Sequence, residues 1–364
     1  MLAVVQSAIT IVIFIVMLGA LVVIHELGHF LTARLAGVRV LEFGIGFPPR
    51  ARILRSGGET LWTLNWLPIG GFVRLEGEDG DSDDPRSFVR ASLPVKLIVL
   101  VSGVAMNVLL SFAIFFAIAW LANPTLSLTV RNVQANSPAT VAGIVVGDRI
   151  VSFDGQPFDA LGDAAGAPGA ILRAHAGQSV GLGIVRADGT AQTVVASLRP
   201  PAQVTGGQGA LGITFGSVAS GQYFQRSPID AAGIAASRTG QALSLILNGL
   251  GQLGSSIVNH PTEAPPVAGP IGIASQVGDV FWQLGPIFTL YLAGILSANL
   301  ALVNILPFPP LDGGRVAVLL LRRLTGERIS LRVERLTYLV GFSTLMAFLV
   351  WITFFDITAP GRGQ

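Results

Sequence analysis

Four stretches of this chain are apolar on every face. They lie at about 5–33, 97–122 ("LIVLVSGVAMNVLLSFAIFFAIAWLA"), 286–306 ("PIFTLYLAGILSANLALVNIL") and 336–355 ("LTYLVGFSTLMAFLVWITFF"). Each is near or above the roughly 20 residues a helix needs to cross a bilayer. The pattern predicts a polytopic α-helical membrane protein with four transmembrane helices. The first run is too long for the apolar segment of a signal peptide and lacks a basic region before it. Between the second and third spans the pattern changes. "LTVRNVQ", "DRIVSFDG", "VGLGIVRADG" and "TVVASLRP" alternate apolar and polar positions and stop at turn residues, as half-buried strands do. "ADGT" fits a hairpin turn. Residues 201–209, "PAQVTGGQG", read as a linker. Residues 237–258 have helical spacing with moderate apolarity and read as an amphipathic helix near the outer surface. A fifth span there would invert everything downstream. In "TLNWLPIGGFVRLEGE", residues 63–78, the segment "GGFVRLE" alternates and Pro68-Ile69-Gly70-Gly71 can turn. That predicts a β-hairpin region over about 60–78 that dips toward the membrane.

Charge orients these elements. The first loop carries nine basic residues (Arg34, Arg39, Arg50, Arg52, Arg55, Arg74, Arg86, Arg90 and Lys96), and the loop between the third and fourth spans carries six (Arg315, Arg322, Arg323, Arg328, Arg332 and Arg335). The first ten residues have none, and 123–285 has seven, thinly spread. By the positive-inside rule both short loops are cytoplasmic. Both termini and the long β-rich segment then lie outside. Composition agrees: 51% of residues are hydrophobic and 12% charged, against about 25% charged in a soluble domain. A net charge of +2 gives no nucleic-acid signal. There is no cysteine, which excludes disulfides, thiolate ligands and thiol catalysis. A metal would have to be held by His, Asp or Glu.

The first span contains that chemistry. "VVIHELGHFLTARL", residues 22–35, holds His25, Glu26 and His29 in an H-E-x-x-H pattern. Residues four apart share a helix face, so His25 and His29 can grip one ion. Glu26 borders that face, about 100° around the helix, where it can exchange a proton with water and then with a leaving amine. Zinc suits two imidazoles and an oxygen ligand. Ionisable groups at membrane depth are expensive and mark functional sites. The oxygen ligand is sought in "NILPFPPLDGGR", residues 304–315. Pro307, Pro309 and Pro310 cannot continue a helix, and broken backbone at membrane depth must line protein or a cavity. Asp312 is the candidate third ligand. The first and third spans run in the same direction, so both half-sites fall near the cytoplasmic side.

H-E-L-G-H with a distant N-x-x-P-x-P-x-L-D-G resembles the site-2 protease family of intramembrane zinc metalloproteases, and within it the bacterial proteases that regulate sigma-E. "EFGIGFPPR" (42–50), "LPIGGFVRLEGE" (67–78), "SFVRASLPVKLIVLVSG" (87–103) and "AGPIGIAS" (268–275) resemble family segments in family order. The resemblance implies zinc bound by His25, His29 and Asp312, zinc-activated water with Glu26 as general base and acid, and substrate positioning by Asn304, with Pro307 in the same motif. One departure stands out. The second span reads S-G-V-A-M-N at 102–107 where the family has A-G-P-x-M-N, losing the proline and keeping Met106 and Asn107. "NSPATVAGIVVGDRIVSFDG", 136–155, resembles a circularly permuted bacterial PDZ domain, and "GALGITFG", 209–216, resembles its carboxylate-loop strand.

The expected layout is therefore 1–122 (first two helices and the hairpin region), 123–216 (one extracytoplasmic PDZ domain), 217–285 (linker and amphipathic helix) and 286–364 (last two helices with the L-D-G-G motif). The family implies a bacterial inner-membrane endopeptidase. Its substrates are single-span proteins of the anti-sigma type or signal-peptide remnants, and its PDZ domain filters untrimmed substrates. A helical substrate hides its peptide bonds. An edge strand at Gly70, Gly71 and Phe72 would hold it unwound by β-augmentation. Two rivals fare worse. A non-enzymatic scaffold has no use for intact His25, Glu26, His29 and Asp312. A membrane-anchored zincin acting on soluble peptides would take its third ligand from a water-exposed helix, and "EGEDGDSDD" (76–84) reads as a solvated loop.

Overall fold

The computed structural model describes residues 2–78, 80, 82–162, 166–204, 209–259, 263–325 and 331–358. In chain order the elements are α1 (Leu2–Leu35), β1 (Val40–Arg55), β2 (Leu61–Leu75), α2 (Leu93–Leu121), β3 (Asn123–Val133), α3 (Pro138–Val141), β4 (Arg149–Phe153), β5 (Gln156–Asp159), α4 (Pro168–Ala174), β6 (Ser179–Val185), β7 (Ala191–Ser197), β8 (Ile213–Phe224), α5 (Pro228–Asn259), α6 (Pro270–Leu284), α7 (Pro286–Asn304), α8 (Asp312–Thr325) and α9 (Leu331–Thr358). Four helical segments are long and apolar enough to cross a membrane: Val4–Leu35, Leu93–Leu121, Pro286–Asn304 and Leu336–Thr358. They match the four apolar runs of the sequence. The chain divides into two compact units, Met1–Phe116 with Ala232–Gln364, and Ala117–Ala231.

In the first unit α1 ends where Gly37 adopts φ 78° and Val38 N–H bonds back to Ala33 O at 2.9 Å, a left-handed cap that glycine permits. The chain then enters β1, and the expected hairpin differs here. The chain reverses between 64 and 71 as expected, but the two arms of β2, 61–64 and 71–75, each pair with the upstream Val40–Arg55. Gly70 at φ 94° lies where the chain reverses, so that 61–64 runs in the same direction as 42–45 and 71–75 in the opposite one. The reversal lets both halves of β2 flank β1: Phe43 faces Val73 and also Trp62, and Gly44 faces Phe72 and also Thr63. The far part of β1 pairs there too, Arg52 with Leu64 and Ile53 with Thr63. Glu42, only 4% exposed, accepts two bonds of 2.9 Å from the Arg50 guanidinium and one of 2.8 Å from Thr63 Oγ1. This paired, hydrogen-bonded charge avoids the cost of a lone one. Phe30 of α1 stacks edge-on against Phe43 and Trp62, with ring centroids 5.4 and 5.1 Å away. Val99, Leu100, Val316 and Leu319 join the same apolar cluster, so α1, the β1–β2 ribbon, α2 and α8 share one core.

The remaining helices of this unit follow local punctuation. α5 starts at Pro228, earlier than the 237–258 pattern suggests, because Ser227 caps it: its Oγ accepts from Asp230 N–H at 3.1 Å. α6 is a helix where the sequence predicted linker. Its first turn is clamped by Asp356 of α9, which accepts from the N–H groups of Gly269 (3.1 Å) and Gly272 (2.8 Å). Trp282 Nε1 donates to Thr10 Oγ1 of α1 at 3.1 Å.

The second unit is a six-stranded sheet in the order β7-β6-β4-β5-β3-β8. Its core is built by the alternating positions of the predicted strands, among them Leu128, Val130, Ile150, Val180, Leu182 and Ile184. Its last strand does not stop at 216. Because β3 begins at Asn123, its partner β8 runs on to Phe224. Part of the predicted linker, 205–208, lies outside the described residues.

Candidate metal centre

His25 and His29 sit one turn apart on α1, 5% and 8% exposed. Two glycines let α2 approach them. A Cβ on Gly28 would fall on the backbone of Ser102, and one on Gly103 would overlap the imidazoles, 2.7 Å from His25 Nε2. The glycine inside H-E-L-G-H therefore spaces the helices, and its counterpart on α2 clears the room between the imidazoles. The lost proline leaves α2 continuous through Val104.

The third group arrives from the other end of the chain. α7 ends at Asn304, the proline-rich turn follows, and Asp312 opens α8. Gly313 and Gly314 permit the tight return: a Cβ on either would run into the backbone of Ile305 or of Phe308 and Pro309. Asp312 Oδ2 stands 2.9 Å from His25 Nε2 and 3.2 Å from His29 Nε2, and the two nitrogens are 3.2 Å apart. Donors about 2.05 Å from a tetrahedral zinc ion stand about 3.3 Å from one another. The triangle is therefore close to one face of a zinc tetrahedron, with a fourth corner left for substrate or water.

The outer nitrogens are also held. His29 Nδ1 donates to Val99 O at 2.7 Å, which leaves its Nε2 lone pair facing the other two groups. The side-chain amide of Asn107 meets His25 Nδ1 at 3.1 Å. Asn107 is fully buried, and its amide oxygen has no hydrogen-bond partner among the described residues. Its backbone carbonyl accepts from Ser297 Oγ of α7 at 2.8 Å. Such outer contacts fix ring orientation and tautomer in metal sites. Asn107 and Val99 were not among the residues the sequence singled out for the site. Their signals were a polar residue in mid-span and a backbone carbonyl that sequence cannot register.

Glu26 is half-buried beside His25, within electrostatic reach of both imidazoles and Asp312. Gly71 passes next to it: a Cβ there would lie 3.6 Å from Glu26 Cγ and 3.0 Å from Gly44 O. Gly70 faces the Phe47 ring instead, and the Phe72 ring lies over Gly44. Asn304 is half-buried at the end of α7, and Pro307 is exposed in the turn that follows.

A family model described as Peptidase family M50 matches residues 13–348. The chain belongs to peptidase family M50. Relatives agree over nearly full length. A protein of Clostridium acetobutylicum, provisionally described as a zinc metalloprotease, is 30% identical over 98% of this chain and 99% of its own. One from Clostridium perfringens with the same description is 32% identical over 94% and 96%. Zinc metalloprotease RasP of Geobacillus kaustophilus is 26% identical over 97% and 99%. M50 peptidases are zinc-dependent, of the site-2 type, and act on membrane proteins within the bilayer. This chain is accordingly a zinc metalloendopeptidase with four helices fit to span a membrane.

Proposed function

We propose that this M50 protease cleaves transmembrane segments of single-span membrane proteins, with His25, His29 and Asp312 as the zinc ligands and Glu26 as general base and acid. The observation that carries the reading is the triangle of Nε2, Nε2 and Oδ2 atoms, 2.9–3.2 Å on each side. Zinc held by His25, His29 and Asp312 would supply Lewis-acid chemistry there, polarising the scissile carbonyl and lowering the pKa of water. The protein's own residues supply the rest. His29 Nδ1–H held by Val99 keeps one ring in ligand orientation, and the Asn107 side-chain amide, 3.1 Å from His25 Nδ1, does the same for the other. The Glu26 carboxylate takes a proton from the attacking water and returns it to the leaving amide nitrogen. The half of β2 from 71 to 75 receives the unwound substrate as an added strand, and the bare Gly71 keeps that strand close to Glu26. Asn304, at the end of α7, and Pro307, in the turn before α8, would position substrate on family grounds.

The basic loops support a cytoplasmic-side site in the bacterial inner membrane, with both termini and the sheet unit outside. The alternating strands and the "GALGITF" segment support reading that unit as a PDZ domain that filters untrimmed substrates. Anti-sigma factors and signal-peptide remnants fit as substrates on family grounds. The test compares purified wild type and Glu26→Gln on a model transmembrane substrate, with zinc measured in both. Cleavage should fall by about 10²–10⁴-fold while zinc stays at one per chain. Full cleavage by Glu26→Gln would refute the role given to it.

A further inference from the structure

The turn after β2 carries Glu78, whose side chain is 14% exposed. Its Oε2 accepts from the backbone N–H of Leu75, the last residue of β2, at 3.1 Å. Its Oε1 accepts from the guanidinium of Arg315. Arg315 stands three residues after Asp312, in the first turn of α8. One carboxylate thus grips both the strand that passes Glu26 and the helix that carries Asp312. Val316 and Leu319 add apolar contact between that helix and the core beneath the ribbon. Apolar contact is non-directional and tolerates sliding. A charge-assisted bond sets register.

We propose that Glu78 and Arg315 form a positioning pair for hydrolysis, which locks the 71–75 half of β2 in register with Asp312 so that a strand laid on it presents its scissile bond at the metal centre. The proposal rests on the roles given above to Glu26 and Asp312. Breaking the pair also releases charge into the site. Arg315 lies within electrostatic reach of Asp312, and Glu78 within reach of Glu26.

The test uses the full-length protein in liposomes: wild type, Glu78→Gln, Arg315→Gln and Arg315→Lys. The readouts are kcat and KM on a model transmembrane substrate, zinc content, and the rate of zinc loss to a chelator. Each Gln variant should keep one zinc but lose it faster, and should lose about 10–100-fold in kcat/KM, the range seen when contacts behind metal ligands are removed. Most of the loss should be in kcat, because a misplaced scissile bond binds but does not react. Arg315→Lys should recover severalfold over Arg315→Gln. Gln variants that match wild type in kcat and zinc retention overturn the proposal. Equal kcat for Arg315→Lys and Arg315→Gln overturns it as well. A wild type that neither holds zinc nor cleaves would instead sink the assignment of the centre itself.

Discussion

Gly103→Ala is the sharpest single perturbation of this centre. The added methyl would overlap His29 Nε2 and lie 2.7 Å from both Cε1 and Nε2 of His25. Non-bonded heavy atoms prefer about 3.5–4.0 Å, so each ring must retreat by about 1 Å. Metal–ligand distances tolerate only about ±0.2 Å. Retreat of both rings therefore breaks the ligand triangle, whereas a single added methylene in a packed interior typically costs about 1–3 kcal/mol of stability. The expected variant is a folded protein without stoichiometric zinc. The assay pairs elemental analysis of purified wild type and Gly103→Ala with thermal unfolding in the same detergent. Zinc should fall from one per chain to a small fraction, with a modest drop in unfolding midpoint. A Gly103→Ala protein that holds one zinc against the same chelator as wild type would refute the placement of the ion between His25, His29 and α2.

Other expectations follow from the contacts around the triangle. Asn107→Ala removes the only described contact to His25 Nδ1 and should weaken zinc binding about 10–100-fold, measured by chelator competition. Gly71→Val puts a branched side chain against Glu26 and Gly44 O; it should cut cleavage strongly while leaving zinc at one per chain, which separates it from the ligand variants. Stripping zinc with a chelator should abolish cleavage in wild type, and adding zinc back should restore it. Failure of restoration with the fold intact by circular dichroism would count against a resident zinc.

What was legible in the sequence follows the cost of errors. A charge at membrane depth is expensive, so the four spans and the cluster at His25, Glu26 and His29 stood out from composition and spacing alone. Asp312 was readable because prolines stop α7 just before it. The ribbon was readable only in part. Its alternation marked β structure, but pairing across 40–75 depends on the reversal at Gly70 and on Glu42 gathering Arg50 and Thr63. Those are tertiary contacts without a local signature. α6 was missed because "AGPIGIAS" carries glycines and a proline. Its N-terminus is stabilised by Asp356, 87 residues away from Gly269.

The separation of the ligands has a further consequence for how the protein comes into being. His25 and Asp312 are 287 positions apart, and the chain is made from its N-terminus. Through most of synthesis the two histidines are already in the bilayer with no carboxylate to complete them. The centre closes only once the ribosome has passed the α7–α8 turn and that turn has docked beside α1. On the proposed ligand set, a stalled or truncated chain lacking this last segment would carry the sheet unit and Glu26 yet no complete metal centre. The order of translation would therefore leave the centre open until the chain is nearly finished.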